Sequence, residues 1–259
     1  DIAIVGGGIV GAATFYKIQK RNPSLRLALF EKETDLGAHQ TGHNSGVIHS
    51  GLYYKPGSLK ARNCIEGRHE LVDFAKKYGI AHDVCGKVVV ATDEKELLNM
   101  DKIYNIGCEN RIEGIEKINA DQVKDIEPFV KSIGGIWVPC TGIIDFVSAT
   151  KKMVELALSI NSESKVFMGH EITGISKKDS ISTLHSSRGD HTASYLVFCA
   201  GLQADRLAKK DGVKLKEKVV GFRGDYYELT EQAKGKVKNL IYPVPNPDFP
   251  FLGVHFTRM

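Results

Sequence analysis

A glycine cluster and one acid carry the densest chemistry in this chain. Gly6, Gly8 and Gly11 are spaced G-x-G-x-x-G behind the apolar run Ile2–Val5, and Glu31 closes the next apolar run. Each has a physical task. Gly6 permits a tight turn, Gly8 lets the backbone approach a pyrophosphate, and Gly11 lets helix and strand pack closely. A helix starting with Ile9 and Val10 would turn unpaired N–H groups and a positive dipole end toward phosphates. Glu31, with Lys32 beside it, stands where a carboxylate would accept hydrogen bonds from ribose hydroxyls and repel a 2′-phosphate. This is nucleotide-binding chemistry; a glycine turn serving only packing is the plainer alternative.

NAD and FAD share that opening, so the residues after Glu31 must separate them. Thr41, Gly42, His43, Asn44, Ser45 and Gly46 form a polar, glycine-studded stretch. Loops this long inside a domain usually carry function. Small residues there would let the backbone run beside a pyrophosphate and an isoalloxazine ring, which favours FAD. Far along the chain, Ala200-Gly201 ends another apolar run and would return to the same cofactor.

These residues need elements to hold them. The pattern predicts a strand over 2–5, a helix over 9–21 burying Ile9, Val10, Ala13, Phe15, Tyr16 and Ile18, and a strand over 25–30. Helices are expected at 59–79, 94–110, 121–126 and 146–160, and strands at 85–91, 134–138 and 166–175. Leu184–Ser187 and Tyr195–Cys199 are expected to pair, the second buried on both faces. A helix should start after Gly201, capped near Gln203 or Asp205. From 219 onward, alternating strands and Pro-rich turns are expected, ending in a strand over 251–257. The resulting fold class is α/β: a Rossmann-type FAD-binding domain (1–80 and 146–210) with an inserted α+β substrate domain (81–145 and 211–259). The chain stops just after a strand, as a C-terminally truncated piece would. It begins on a strand residue without Met, so a targeting segment could precede it.

Composition narrows the function class. The net charge is +4 over 259 residues, mild enough to fit an acidic ligand, and no Lys/Arg stripe argues for nucleic acid. No apolar run is long enough to span a bilayer. The five cysteines, Cys64, Cys85, Cys108, Cys140 and Cys199, are widely spaced without a C-x-x-C pair, so neither zinc nor a disulfide framework is expected. His39 and His43 lie four apart on a loop and lack a third metal ligand. Ser45 lacks a G-x-S-x-G elbow.

Longer segments carry a family resemblance: His39–Pro56 (HQTGHNSGVIHSGLYYKP), Gly221–Tyr227 (GFRGDYY), Ile241–Pro245 (IYPVP) and Phe249–Thr257 (FPFLGVHFT). With them the chain resembles the FAD-dependent D-amino-acid oxidase-like (DAO) superfamily, and within it the branch acting on L-2-hydroxyglutarate. The resemblance implies oxidation to 2-oxoglutarate by hydride transfer to flavin, with a quinone, another acceptor or O₂ reoxidising it. Members of the superfamily are substantially longer. An amine or amino-acid oxidase of the same superfamily, or a catalytically silent nucleotide-binding piece, are the alternatives. The implied partners are a 2-hydroxy-dicarboxylate substrate, an electron acceptor and peripheral contact with a membrane. The implied compartment is the cytoplasm, or the mitochondrion in a eukaryote.

Site residues follow from the same resemblance. His49 is the first candidate for the base, with a cofactor or backbone hydrogen bond as its other use. His255 would face the substrate side or be structural. Arg223 could fork onto a substrate carboxylate or pair with Asp225. Tyr53, beside Tyr54, would line the pocket, a pair of core or surface tyrosines being the plainer reading. Glu171 and Ile172, on the third strand, would contact adenine through their backbone. Cys64 and Cys199 are expected to pack rather than tether flavin.

Overall fold

The computed structural model describes residues 1–248 and 253–258. In chain order the elements are β1 (Ile2–Val5), α1 (Ile9–Arg21), β2 (Leu27–Glu31), β3 (Val47–Ile48), α2 (Leu59–Tyr78), β4 (His82–Asp83) and β5 (Lys87–Ala91). Then come α3 (Glu94–Glu109), β6 (Glu116–Asn119), α4 (Ala120–Ile126), β7 (Gly134–Val138), β8 (Gly142–Ile144) and α5 (Phe146–Ile160). The chain continues with β9 (Lys165–Met168), β10 (Ile172–Lys178), β11 (Ile181–Ser186), β12 (Gly189–Ala193), β13 (Tyr195–Phe198), α6 (Ala204–Lys210), α7 (Glu231–Lys234) and β14 (Leu240–Pro243). No helix among the described residues is long and apolar enough to cross a membrane.

Two units divide the chain. The first holds Asp1–Asn44 and Phe146–Asp225, the second Ser45–Asp145 and Tyr226–Met259. The expected boundaries at 80 and 210 therefore differ from the observed ones. Residues 45–80 join the second unit because Val47 and Ile48 pair with β8, in register with Ile143 and Gly142.

In the first unit a parallel sheet runs β13-β1-β2-β9. Ala3, Ile4, Leu27, Leu29 and Phe30 are buried in it. The turn from α1 into β2 is closed by polar groups. Gln19 is fully buried and its Nε2 donates to the carbonyls of Pro23 (3.1 Å) and Leu25 (3.0 Å). Its Oε1 accepts from Ser164 Oγ at 2.7 Å, and that hydroxyl accepts from Leu27 N at 2.9 Å. Each buried polar atom so has a partner, which fixes where β2 begins and hence where Glu31 ends it.

Several expectations need correction here. The buried side of α1 is Gly11, Ala12, Phe15, Tyr16 and Gln19, while Val10 is 63% exposed. The single strand expected over 166–175 is two, because Gly169 takes φ +71° and turns the chain from the parallel sheet into β10. β11 pairs with β12 rather than β13, in an antiparallel meander β10-β11-β12. β13 instead pairs with β1, from Ile2↔Tyr195 to Val5↔Phe198. It is an edge strand, not one buried on both faces, and Tyr195 is 70% exposed. Between 219 and Leu240 no described residue is in a strand, and residues 251 and 252 of the last expected strand lie outside the described residues.

The second unit has a sheet β14-β5-β7-β6 and a small sheet β3-β8-β4. Its two chain segments are tied by β14 running parallel to β5, Leu240↔Lys87 through Pro243↔Val90. Glu127 adds a second tie. Its buried carboxylate accepts from Lys238 N (3.1 and 3.2 Å) and Asn239 N (2.5 Å). Helix α2 starts at Ser58, whose Oγ accepts from Ala61 N at 3.2 Å, and stops at Gly79 in the left-handed region, φ 67°.

Candidate functional site

The first unit builds the glycine turn at the carboxyl ends of its parallel strands, where open α/β sheets bind ligands. Gly6 has φ +115°, and a Cβ there would sit 2.3 Å from the Cys199 carbonyl oxygen. At Gly11 a Cβ would lie 1.8 Å from the Gly6 carbonyl oxygen. Only glycine allows β1, α1 and β13 to meet this closely. Cys199 N donates to Val5 O at 2.7 Å, which brings Ala200 and Gly201 beside Gly6.

Glu31 is only 9% exposed. Its Oε2 accepts from Gly7 N at 2.6 Å and its Oε1 from Glu33 N at 3.0 Å. Each oxygen keeps a further lone pair for a hydroxyl donor. Lys32, in contrast, points its ammonium at Glu33, 3.0 Å away.

Gly8 is the N-cap of α1 and has no side chain to cap it. The loop supplies the missing oxygen: Thr41 Oγ1 accepts from Ile9 N at 2.9 Å. The loop is braced by its own backbone. Gly37 N donates to Gly7 O at 3.0 Å, Gly42 N and His43 N donate to His39 O, and Asn44 Nδ2 donates to Gln40 O and Thr41 O. His39 itself pairs with Glu33 at 2.9 Å. Among the described residues the amides of Gly8, Val10 and Gly11 meet no acceptor.

An adenine dinucleotide with a free ribose 2′-hydroxyl fits these residues. Open amides at a helix start suit a pyrophosphate, and a held carboxylate with spare lone pairs suits the ribose. The expected adenine contacts are placed differently. Glu171 lies after β9 and Ile172 opens β10, so neither is on the third parallel strand. Glu171 N and O both engage Ser187, and Ile172 O accepts from Lys210 Nζ at 3.0 Å. Arg223, also in this unit, is 86% exposed, and its guanidinium forks onto Asp225, with Nε 2.9 Å from Oδ1 and Nη2 3.3 Å from Oδ2. Of the two uses expected for Arg223, the acid pairing is the one seen.

The second unit gathers the candidate proton-handling groups. Gly46 O accepts from Ile144 N at 2.9 Å, anchoring the strand that leads to His49. Burial, then the neighbouring Tyr226, raises the Tyr242 phenol to about 12, while Ser45 acts in the opposite direction. His49 keeps a solvent-facing edge, yet burial, then the charges of Lys87 and His255, lower it to about 4. It is therefore neutral at pH 7. His255 packs its ring 4.7 Å from that of Tyr242, with Nδ1 3.0 Å from Gly253 O. Burial raises the Tyr53 phenol well above its usual value.

Lys87 is the residue that sequence reasoning missed. It is 1% exposed and sits on the face of β5 that carries Val89 and Ala91 into the core. Its Nζ lies 4.9 Å from the Tyr53 ring centroid and 5.0 Å from that of Tyr242. Burial lowers it to about 8. The period-2 phase with Val89 and Ala91 was the available signal. It was masked because Val88 and Val90 are buried on the opposite face too.

The family model described as "DAO: FAD dependent oxidoreductase" matches residues 1–259. The chain belongs to this family. Its cofactor is FAD, in keeping with the dinucleotide cradle of the first unit. Among curated relatives, an L-2-hydroxyglutarate dehydrogenase of Indibacter alkaliphilus is 46% identical over 100% of this chain and 65% of its own length. That of Escherichia coli K12 is 41% identical over 100% and 61%, and the human mitochondrial one 40% identical over 99% and 58%. The chain thus spans about three-fifths of the length of such relatives. Among solved structures, a dithionite-reduced L-α-glycerophosphate oxidase from Mycoplasma pneumoniae with FAD bound has TM-score 0.77 and 25% identity, over 95% of this chain and 65% of that one. A glycine oxidase from Geobacillus kaustophilus shares the fold at TM-score 0.73 and 22% identity, over 83% of this chain and 59% of that one.

Proposed function

We propose that the protein oxidises L-2-hydroxyglutarate to 2-oxoglutarate. The observation that carries this reading is the 40–46% identity, across essentially the whole chain, to relatives that bear that activity in their names. FAD, when bound, supplies the acceptor for the hydride that leaves C2. The chain's residues then have separate tasks. The Gly6–Gly11 turn, Glu31 and Thr41 hold the dinucleotide. Lys32, Gly42, His43, Asn44, Ala200 and Gly201 would complete its surroundings within the first unit, with Ser45 and Gly46 following Asn44 along the chain, and Glu171 and Ile172 would meet its adenine end only by giving up their present backbone partners.

His49 is the proposed base. A neutral imidazole can accept the hydroxyl proton as the C2–O bond becomes a carbonyl. His255 and Tyr53 belong to the same group of side chains and would orient the substrate, whereas Arg223 would reach a substrate only by leaving Asp225. The electrons would pass on to a quinone, another acceptor or O₂, and contact with a membrane surface would suit a quinone. The eukaryotic relatives named as mitochondrial point to that organelle for a eukaryotic source.

Product analysis tests the reading. Incubation of the FAD-loaded protein with L-2-hydroxyglutarate and an artificial acceptor should yield stoichiometric 2-oxoglutarate, with little from the D-enantiomer. Turnover of an α-amino acid with none of the hydroxy acid would contradict it.

A further inference from the structure

Among the described residues the buried ammonium of Lys87 meets no acid: the groups coupled to its charge are the thiols of Cys140 and Cys64 and the His49 imidazole. Burial raises both thiols, so they are uncharged at pH 7. The two tyrosine rings give some attraction, but an ion removed from water without an ionic partner is costly and calls for an anion. Two neutral donors wait beside it. Ser50 Oγ and Tyr53 Oη are both buried and meet no hydrogen-bond partner among the described residues. Together with His49 and Tyr54, these three residues line one crevice. Its open volume is about 20 Å³, room for an oxygen atom rather than for a whole dicarboxylate.

We propose that Lys87, Ser50 and Tyr53 form a carboxylate-anchoring subsite, in which one carboxylate oxygen of the substrate enters the crevice and completes the ion pair that Lys87 lacks. This rests on the reading of the protein as a 2-hydroxy-dicarboxylate dehydrogenase, and it assigns the anion-binding role to β5 rather than to Arg223. It also couples binding to proton transfer. An anion against Lys87 cancels part of the repulsion that depresses His49, so the imidazole gains basicity when the substrate is in place.

The test uses the FAD-loaded protein and glutarate, a dicarboxylate with no hydroxyl to oxidise. Titration calorimetry at pH 7 should show glutarate binding, weakened about 30-fold or more in Lys87→Met, as expected when one partner of a buried charge pair is removed. Ser50→Ala should weaken it about 10-fold through loss of one hydrogen bond to a charged group. It guards against misfolding of the lysine variant. NMR of His49 should show its titration midpoint moving up from about 4 when glutarate is added. Unchanged glutarate affinity in both variants, or no binding to the wild type, overturns the proposal. Flavin reduction by L-2-hydroxyglutarate is read separately. If it occurs while the variants bind glutarate normally, the function stands and the anchor falls. If it fails while glutarate binds through Lys87, the anchor stands and the substrate assignment falls.

Discussion

Replacing Lys87 by Met should make the ligand-free protein more stable at neutral pH. The side chain is held in its charged form at pH 7, yet burial lowers its pKa from 10.5 to about 8. That difference corresponds to about 3 kcal/mol of cost for carrying the charge inside. That figure is already net of the cation–π attraction to Tyr53 and Tyr242, so Lys87→Met should gain up to about 3 kcal/mol. Met is unbranched and of similar length, which leaves packing on the Val89 face intact. The pH dependence distinguishes this from a general packing effect. Unfolded lysine keeps its proton up to about 10.5, while the folded one releases it above about 8. Wild-type stability, relative to the variant, must therefore rise with pH across that window. The assay is urea unfolding at pH 7, 8, 9 and 10, followed by fluorescence of Trp137, the sole tryptophan, which pairs with Val88 on the neighbouring strand. A variant less stable than wild type at pH 7, or a gap unchanged between pH 7 and 10, would refute the reasoning.

Three other residues give sharp expectations. Glu31→Gln can offer a carbonyl to only one of Gly7 N and Glu33 N, leaving the other donor opposed by an NH₂ group; stability without FAD should fall by about 1 to 3 kcal/mol in urea unfolding, and FAD affinity, measured by fluorescence quenching, by about tenfold or more. His49→Gln should slow flavin reduction by about 100- to 10,000-fold in stopped flow while leaving glutarate affinity within a few-fold. Ser58→Ala removes the cap of α2 and should lower stability by about 1 kcal/mol, seen as a shifted unfolding midpoint, without affecting the flavin spectrum.

The arrangement of glycine turn, helix start and Glu31 was legible because its parts are local. A strand, a glycine turn, a helix and an acid all fall within 31 residues, and periodicity with glycine spacing specifies them. What escaped was non-local. Tyr195–Phe198 looks equally apolar whether it pairs with β11 or β1, and only the assembled sheet decides. The break at Gly169 hides inside an apolar run because a single glycine carries the turn. Thr41 was legible as a loop residue near the cofactor, but not as the cap of a helix 32 residues earlier. For Arg223 the sequence left a substrate carboxylate and Asp225 as equal alternatives, and Asp225, two positions on, is the acid it meets. Lys87 was the one charged residue within the expected strand 85–91, and its burial shows only once β14 and β7 flank β5.

The central claim is that this flavoprotein fold takes electrons from L-2-hydroxyglutarate, and anaerobic reduction tests it most directly. The FAD-loaded protein is mixed with L-2-hydroxyglutarate in the absence of oxygen, and the visible flavin band is followed. The account predicts bleaching by the L-enantiomer with one equivalent of 2-oxoglutarate formed per flavin. An unchanged flavin band with this substrate, together with bleaching by an α-amino acid, would contradict it.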